Sequence, residues 1–278
     1  MLFDYRSQNT DQLKRLVLPL LHKDVDIFTH LDKKWDISSE QIKGITAISS
    51  QVYICKVRIS CRLDTWSLVQ ATYKLLKLAR DTGNYSYYCL MTGQDYPIKP
   101  IEFIVERLGQ SYPKPLVDCT PCDEKNWIVS GFKRIRFVGI HNAVKKITGN
   151  RLLRRIFILP VYTIECCITA LMTSPIRRLR RIRCELFGGS AWWILPYKIV
   201  DDVIEQIDKN TDIVKAFRLK TTPEETFFQT IAMKSRVAFM IDLNPIDAVS
   251  QNCLTYTYFK MWIKNLLCIL MFYCKGVY

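Results

Sequence analysis

Two adjacent carboxylates, Glu224 and Glu225, follow Pro223 and precede the apolar run Phe227-Phe228-Gln229-Thr230. One reading of this stretch is local. Thr222 fits a helix N-cap, Pro223 the first helical position, and Glu225 closes a Thr-x-x-Glu capping box. The other reading adds chemistry. A carboxylate at a helix N-terminus is kept ionised by the positive end of the dipole. Facing a substrate hydroxyl, it accepts the proton. The residues alone leave both readings open. Asp32 and Asp95 are the other carboxylates in suggestive settings, because each lies at the C-terminal end of a stretch that reads as a strand. Each also fits a simple turn cap.

The elements that must position these groups follow from the hydrophobic pattern. Leu13, Leu16, Val17, Leu20 and Leu21 recur at helical spacing, with Pro19 near the end. Val25 to Leu31 (VDIFTHL) reads as a buried strand from which Asp32-Lys33-Lys34 emerges. Val52 to Ile59 and Tyr85 to Met91 are two more strands. Between them Trp66 to Arg80 forms an amphipathic helix with Leu68, Val69, Leu75, Leu76 and Ala79 near one face. Thr92 to Pro97 is a turn, and Pro100 opens another helix. This alternation predicts an α/β fold with a mostly parallel sheet sandwiched by helices. Ligands collect at the C-terminal strand ends of such sheets, where Asp32 and Asp95 fall.

Composition narrows the classes. The chain has 278 residues, 49% of them hydrophobic, which is ample for a core and excludes global disorder. Its net charge of +14 is concentrated, since 131–184 carries thirteen Lys and Arg against the single Glu165. Such a patch suits phosphate groups of an anionic lipid, a nucleotide diphosphate or a nucleic acid. Exposed aromatics interleaved with the charge are lacking, and so is any recognised binding module, which disfavours nucleic acid. Eleven cysteines with no signal peptide suit reduced thiols and apolar filling. Cys119-x-x-Cys122 is the one short pair with metal or redox spacing, and no second pair or His completes a zinc set. Asp24-Val25-Asp26 is the one Asp-x-Asp, placed at a strand entrance where a metal site would be misplaced. Ile156 to Ser174 approaches membrane-spanning length but contains Pro160 and Glu165. A carboxylate at mid-bilayer costs about 2.5–3.5 kcal/mol, so a core or membrane-lying helix is favoured over a span. Leu266 to Cys274 is apolar and too short to cross.

Five stretches, in order, carry a family likeness. They are Thr29-His30-Leu31-Asp32-Lys33-Lys34, Trp66-Ser67-Leu68-Val69-Gln70-Ala71, Thr92-Gly93-Gln94-Asp95-Tyr96-Pro97, Gly189-Ser190-Ala191-Trp192-Trp193-Ile194-Leu195-Pro196 and Thr222-Pro223-Glu224-Glu225-Thr226-Phe227-Phe228-Gln229-Thr230. Together they resemble the core-2/I-branching N-acetylglucosaminyltransferase family, which includes the peptide O-xylosyltransferases. The resemblance covers about Leu13 to Thr257. It implies a GT-A-type glycosyltransferase fold that inverts at the anomeric carbon and moves a sugar from a UDP-sugar to a hydroxyl, with no metal and no cofactor. It makes Glu225 the catalytic base and places Asp32, Asp64, Ser67 and Asp95 on the donor. It places Gly189, Ser190, Trp192 and Glu224 on the acceptor side, with at least one of Trp192 and Trp193 in the core. Leu63-Asp64-Thr65 stands where the family often has Trp-Gly-Gly. Beyond Asn252 to Thr257 the family runs into a basic segment that binds the diphosphate, whereas here 259–278 matches no family pattern.

The expected organisation is one domain over 1–258, with a basic, apolar helical insertion at 130–185, followed by a divergent apolar tail at 259–278. The expected partners are a UDP-sugar donor, a glycan or glycolipid acceptor and an anionic membrane surface, with no nucleic acid. The expected setting is bacterial surface-polysaccharide or glycolipid assembly, in the cytoplasm or at the inner face of the cytoplasmic membrane. The alternative is a catalytically impaired relative that binds sugar or membrane.

Overall fold

A computed structural model describes residues 10–62, 65–93, 95–122, 185–218 and 222–243, together with the backbone of the strand at 268–274. Helix α1 (Thr10–Val17) passes through a 3-10 turn at Leu18–Leu20 into β1 (Val25–Leu31). All seven β1 residues are buried, including the polar Asp26, Thr29 and His30, as suits a strand covered on both faces. Helix α2 (Ser39–Thr46) starts with a true capping box, in which Ser38 Oγ accepts from Gln41 N and Gln41 Oε1 accepts from Ser38 N. Strand β2 spans Val52–Ile54 alone, not the expected Val52 to Ile59: the chain bends at Lys56 and Val57, while Cys55 N bonds Thr29 O at 2.9 Å and Ile59 O takes Lys33 N at 3.0 Å. Helix α3 (Trp66–Thr82) buries Leu68, Val69, Thr72, Leu75, Leu76 and Ala79 along one stripe. Then come β3 (Tyr87–Thr92), α4 (Ile101–Ser111), β4 (Leu116–Val117) and β5 (Thr120–Pro121). After the segment 123–184, the chain forms β6 (Phe187–Gly188), β7 (Trp193–Pro196), α5 (Tyr197–Asp208), α6 (Asp212–Phe217) and α7 (Phe227–Ala232). The last described element is β8 (Cys268–Cys274).

The main sheet has the order β2-β1-β8-β3-β7-β4. Among the described strands of this sheet, only β1 and β2 pair in parallel, while β8 is antiparallel to both β1 and β3, and β7 is antiparallel to β3 and β4. The expectation of a mostly parallel sheet is therefore corrected to a mixed one. The reason is topological. Alternating strands and helices fix the direction of β1, β2 and β3, which do run the same way. They say nothing about a later strand entering between them. Here β8, from the segment that matched no family pattern, separates β1 from β3.

Helices cover both faces. Phe28, Tyr88, Trp193 and Leu195 point to the face packed by α3, α5, α6 and α7. Val25, Ile27, Leu31, Tyr87, Cys89, Met91 and Ile194 point to the other, against α1, α2 and α4. The period-2 alternation along each strand thus builds two cores around one sheet. Among the described residues no helix is long and apolar enough to cross a membrane. The expected apolar helix at Ile156 to Ser174 and its basic flanks lie outside the described residues, as does Asn252 to Thr257.

Candidate active site

The carboxylate turn differs from the capping box read in the sequence. Pro223–Glu225 is a single 3-10 turn, and Thr222 before it is left-handed, with φ 51° and ψ 48°, and makes no side-chain cap. Left-handed backbone is costly for a β-branched residue, and a following proline restricts it further. The Thr222 hydroxyl is buried without a hydrogen-bond partner. The short turn is held by Glu225 N bonding Thr222 O at 3.3 Å and Thr226 N bonding Pro223 O at 3.2 Å. Glu224 and Glu225 are both half-buried.

What fixes this turn is the helix after it. In α7, Phe227 packs edge-on against Trp66 at the start of α3, with ring centroids 5.1 Å apart. Phe228 packs against Trp193 of β7 at 5.0 Å. Two polar residues of α7 then grip the glycine-rich segment. Thr230 Oγ1 accepts from Phe187 N at 3.1 Å and donates to Phe187 O at 3.2 Å. Gln229 Nε2 donates to Ser190 O at 2.6 Å. Between those grips, Gly189 N donates to Glu225 O at 3.0 Å. Two stretches expected to form one site are thereby laid edge to edge.

Gly189 is required by a neighbour. A Cβ built there would lie 2.0 Å from the backbone oxygen of Asp118. That crowding places Asp118, at the end of β4, directly across from Gly189. Its carboxylate is buried, and the sequence reading passed it over. The only sequence signal was an acid directly after the apolar pair Leu116-Val117. Gln229 and Thr230 were also missed as positioning groups, because their partners lie 39 and 43 residues away in the chain.

On the neighbouring strand end, Asp95 Oδ2 accepts from Thr92 N at 2.6 Å and from Trp192 Nε1 at 2.8 Å. Asp95 and Trp192, read from sequence as donor and acceptor groups, are thus in direct contact. Trp192 is half-buried while Trp193 is fully buried, matching the expectation that one of the two is core.

Asp32 sits at the end of β1 and is almost wholly buried. Its Oδ1 accepts from Lys34 N at 2.8 Å, and Lys34 Nζ lies 3.3 Å from Oδ2. Arg58 wraps the strand end, donating to Leu31 O at 3.3 Å, to Asp32 O at 2.7 Å and to Trp35 O. Lys34 Nζ also donates to Cys61 O at 2.6 Å, and Ile59 N donates to His30 Nε2 at 2.8 Å. Burial, with Arg58 adding to it and Asp32 opposing, lowers the His30 pKa to about 4. His30 is therefore a neutral acceptor at pH 7. Burial first, then the Asp32 carboxylate, pushes the Cys61 thiol up to about 12, so it is unreactive.

Ser67 Oγ accepts from Arg62 N at 2.8 Å and shares a 2.7 Å hydrogen bond with Thr65 Oγ1, bracing the entry to α3. Asp64 lies outside the described residues. Asp26 of the Asp-x-Asp accepts from Tyr85 Oη at 2.6 Å inside the core. Among the described residues, no group of three or more His, Cys, Asp or Glu is placed to hold a metal ion.

Comparison with known proteins adds one finding. The sequence matches the family model "Core-2/I-Branching enzyme" over residues 8–263. No curated protein matches at a significant level.

Proposed function

The chain belongs to the Core-2/I-Branching enzyme family of glycosyltransferases, and from that premise we propose that it transfers a sugar from a UDP-sugar to an acceptor hydroxyl with inversion and without a metal. Glu225 is the base. Its carboxylate takes the acceptor O–H proton as that oxygen attacks the anomeric carbon, and the bond to UDP breaks on the opposite side. Asp32 and Ser67 stand on the donor side, as Asp64 would from its place in the family pattern. Gly189, Ser190, Trp192 and Glu224 stand on the acceptor side, joined there by Asp118. Carboxylates and an indole are the groups that hold sugar hydroxyls and sugar faces.

The observation that carries this reading is the hydrogen bond from Gly189 N to Glu225 O at 3.0 Å, which seats the proposed base against the proposed acceptor segment. The donor is a GlcNAc or xylose-like nucleotide sugar. The acceptor is a glycan or glycolipid of bacterial surface-polysaccharide assembly, met at the inner face of the cytoplasmic membrane, where the cationic segments 145–155 and 176–183 attract anionic lipid. The test is a screen of UDP-sugars for thermal stabilisation of the purified protein. A bound donor at a hundredfold excess over its Kd adds about 2.7 kcal/mol of apparent stability. A flat response to every UDP-sugar contradicts the donor class.

A second reading, a sugar-binding relative without transfer, draws on β8. Cys268–Cys274 (CILMFYC) carries no cation, whereas the family resemblance puts a diphosphate-binding basic segment after the stretch matched by Asn252 to Thr257. Donor binding without turnover against any glycan acceptor would favour it.

A further inference from the structure

We propose that Asp95 is a positioning residue, whose task is to orient the Trp192 indole at the acceptor side of the site. The proposal rests on the reading of Trp192 as an acceptor-facing residue and deepens it. Asp95 lies three residues beyond the end of β3, and its own N–H bonds Thr92 O at 3.1 Å while its Oδ2 takes Thr92 N at 2.6 Å. This closed turn fixes the carboxylate against the strand end. The same oxygen then reaches a residue 97 positions away, the Trp192 indole N–H, at 2.8 Å. Oδ2 is thereby committed to two protein N–H groups, which fixes the plane of the carboxylate against the indole. A charge-assisted bond to an indole is also short and directional, which suits setting a ring plane.

The other end of the tryptophan is held too. Trp192 N bonds Ser190 Oγ at 3.3 Å, and Ser190 O takes Gln229 Nε2 at 2.6 Å. A continuous set of bonds therefore runs from β3 through Asp95, Trp192, Ser190 and Gln229 to the helix that begins behind Glu225. Trp192 is the link in it that carries a sugar-stacking ring. Asp95 acts on the reaction through that ring, not by touching the donor.

The experiment needs no acceptor. In 15N-labelled protein the six tryptophans give six indole N–H resonances, and Trp192→Phe identifies the one from Trp192. Asp95→Ala is expected to move that resonance upfield and leave the others in place. Asp95→Asn, which keeps an acceptor oxygen, is expected to return it most of the way. Stability gives a second readout. The destabilisations of Asp95→Ala and Trp192→Phe should combine to less than their sum in the double variant, because each alone already breaks the bond between the two side chains; fully additive losses would count against the proposal. Titration with UDP-GlcNAc separates the rival role. Asp95→Ala should leave its Kd within about threefold, and a loss beyond about tenfold (roughly 1.4 kcal/mol) would put Asp95 on the donor and overturn the proposal. A Trp192 resonance indifferent to Asp95→Ala overturns it as well. Wild-type protein that ignores UDP-GlcNAc counts against that donor alone, and the resonance still decides the role of Asp95.

Discussion

Gly189→Ala is the smallest change that tests how the site is assembled. The added methyl would sit 2.0 Å from the Asp118 oxygen, 2.7 Å from its carbonyl carbon and 2.9 Å from its Cβ. Two of those three atoms are backbone, so no side-chain rotation relieves the clash. Either β4's end or the glycine segment must move by more than an ångström. Overpacking of this kind costs about 1–3 kcal/mol. The movement also strains the bond from Gly189 N to Glu225 O, worth about 1 kcal/mol net. The sum is about 3 kcal/mol. For a chain of this size that lowers Tm by roughly 6–10 °C, measured by calorimetry. Two other glycines are controls. At Gly83 a Cβ meets nothing nearer than Tyr85 Oη at 3.4 Å, so Gly83→Ala should be nearly neutral. Gly44 lies inside α2 with its nearest neighbour, Lys14 Nζ, at 3.7 Å, so Gly44→Ala should add about 0.5–1 kcal/mol. If Gly189→Ala melts within a degree or two of wild type, the close approach of Asp118 is wrong.

His30 predicts an acid sensitivity. Its folded pKa, about 4, lies below the ordinary 6.5, so the unfolded chain binds the extra proton between those values. The stability it confers is complete above pH 6.5 and falls by about 3 kcal/mol as pH drops towards 4. Urea midpoints at several pH values should show this decline for wild type and a shallower one for His30→Gln. Equal slopes would refute it. Thr222→Gly should leave stability unchanged or slightly raised, because glycine relieves a left-handed strain of order 1 kcal/mol while adding unfolded-state entropy. A Tm drop of several degrees would show that Thr222 is not strained.

The sequence was informative where local pattern and structure coincide. β1 and α3 were readable because one is a short stretch rich in apolar and β-branched residues and the other an apolar stripe of period 3.6. The family motifs were readable as short strings, and the structure gathers Glu225, Gly189 and Ser190 in one place and Asp95 with Trp192 beside them. What was hidden is what depends on partners far along the chain. Nothing near Cys268–Cys274 tells that it separates β1 from β3. Thr-Pro-Glu-Glu reads as a capping box, yet packing of Phe227 on Trp66 and Phe228 on Trp193 forces a tighter turn with Thr222 left-handed. Gln229 and Thr230 looked like ordinary helix residues until their carbonyl partners were known. Asp118 had no local signal beyond its charge.

The central claim is that Glu225 removes the acceptor proton. Glu225→Gln keeps the shape of the side chain and removes its basicity. With a donor identified by thermal stabilisation, the account predicts that this variant binds the donor with unchanged Kd and loses transfer by at least about a hundredfold, the usual contribution of a positioned base. Transfer at the wild-type rate by Glu225→Gln would contradict it.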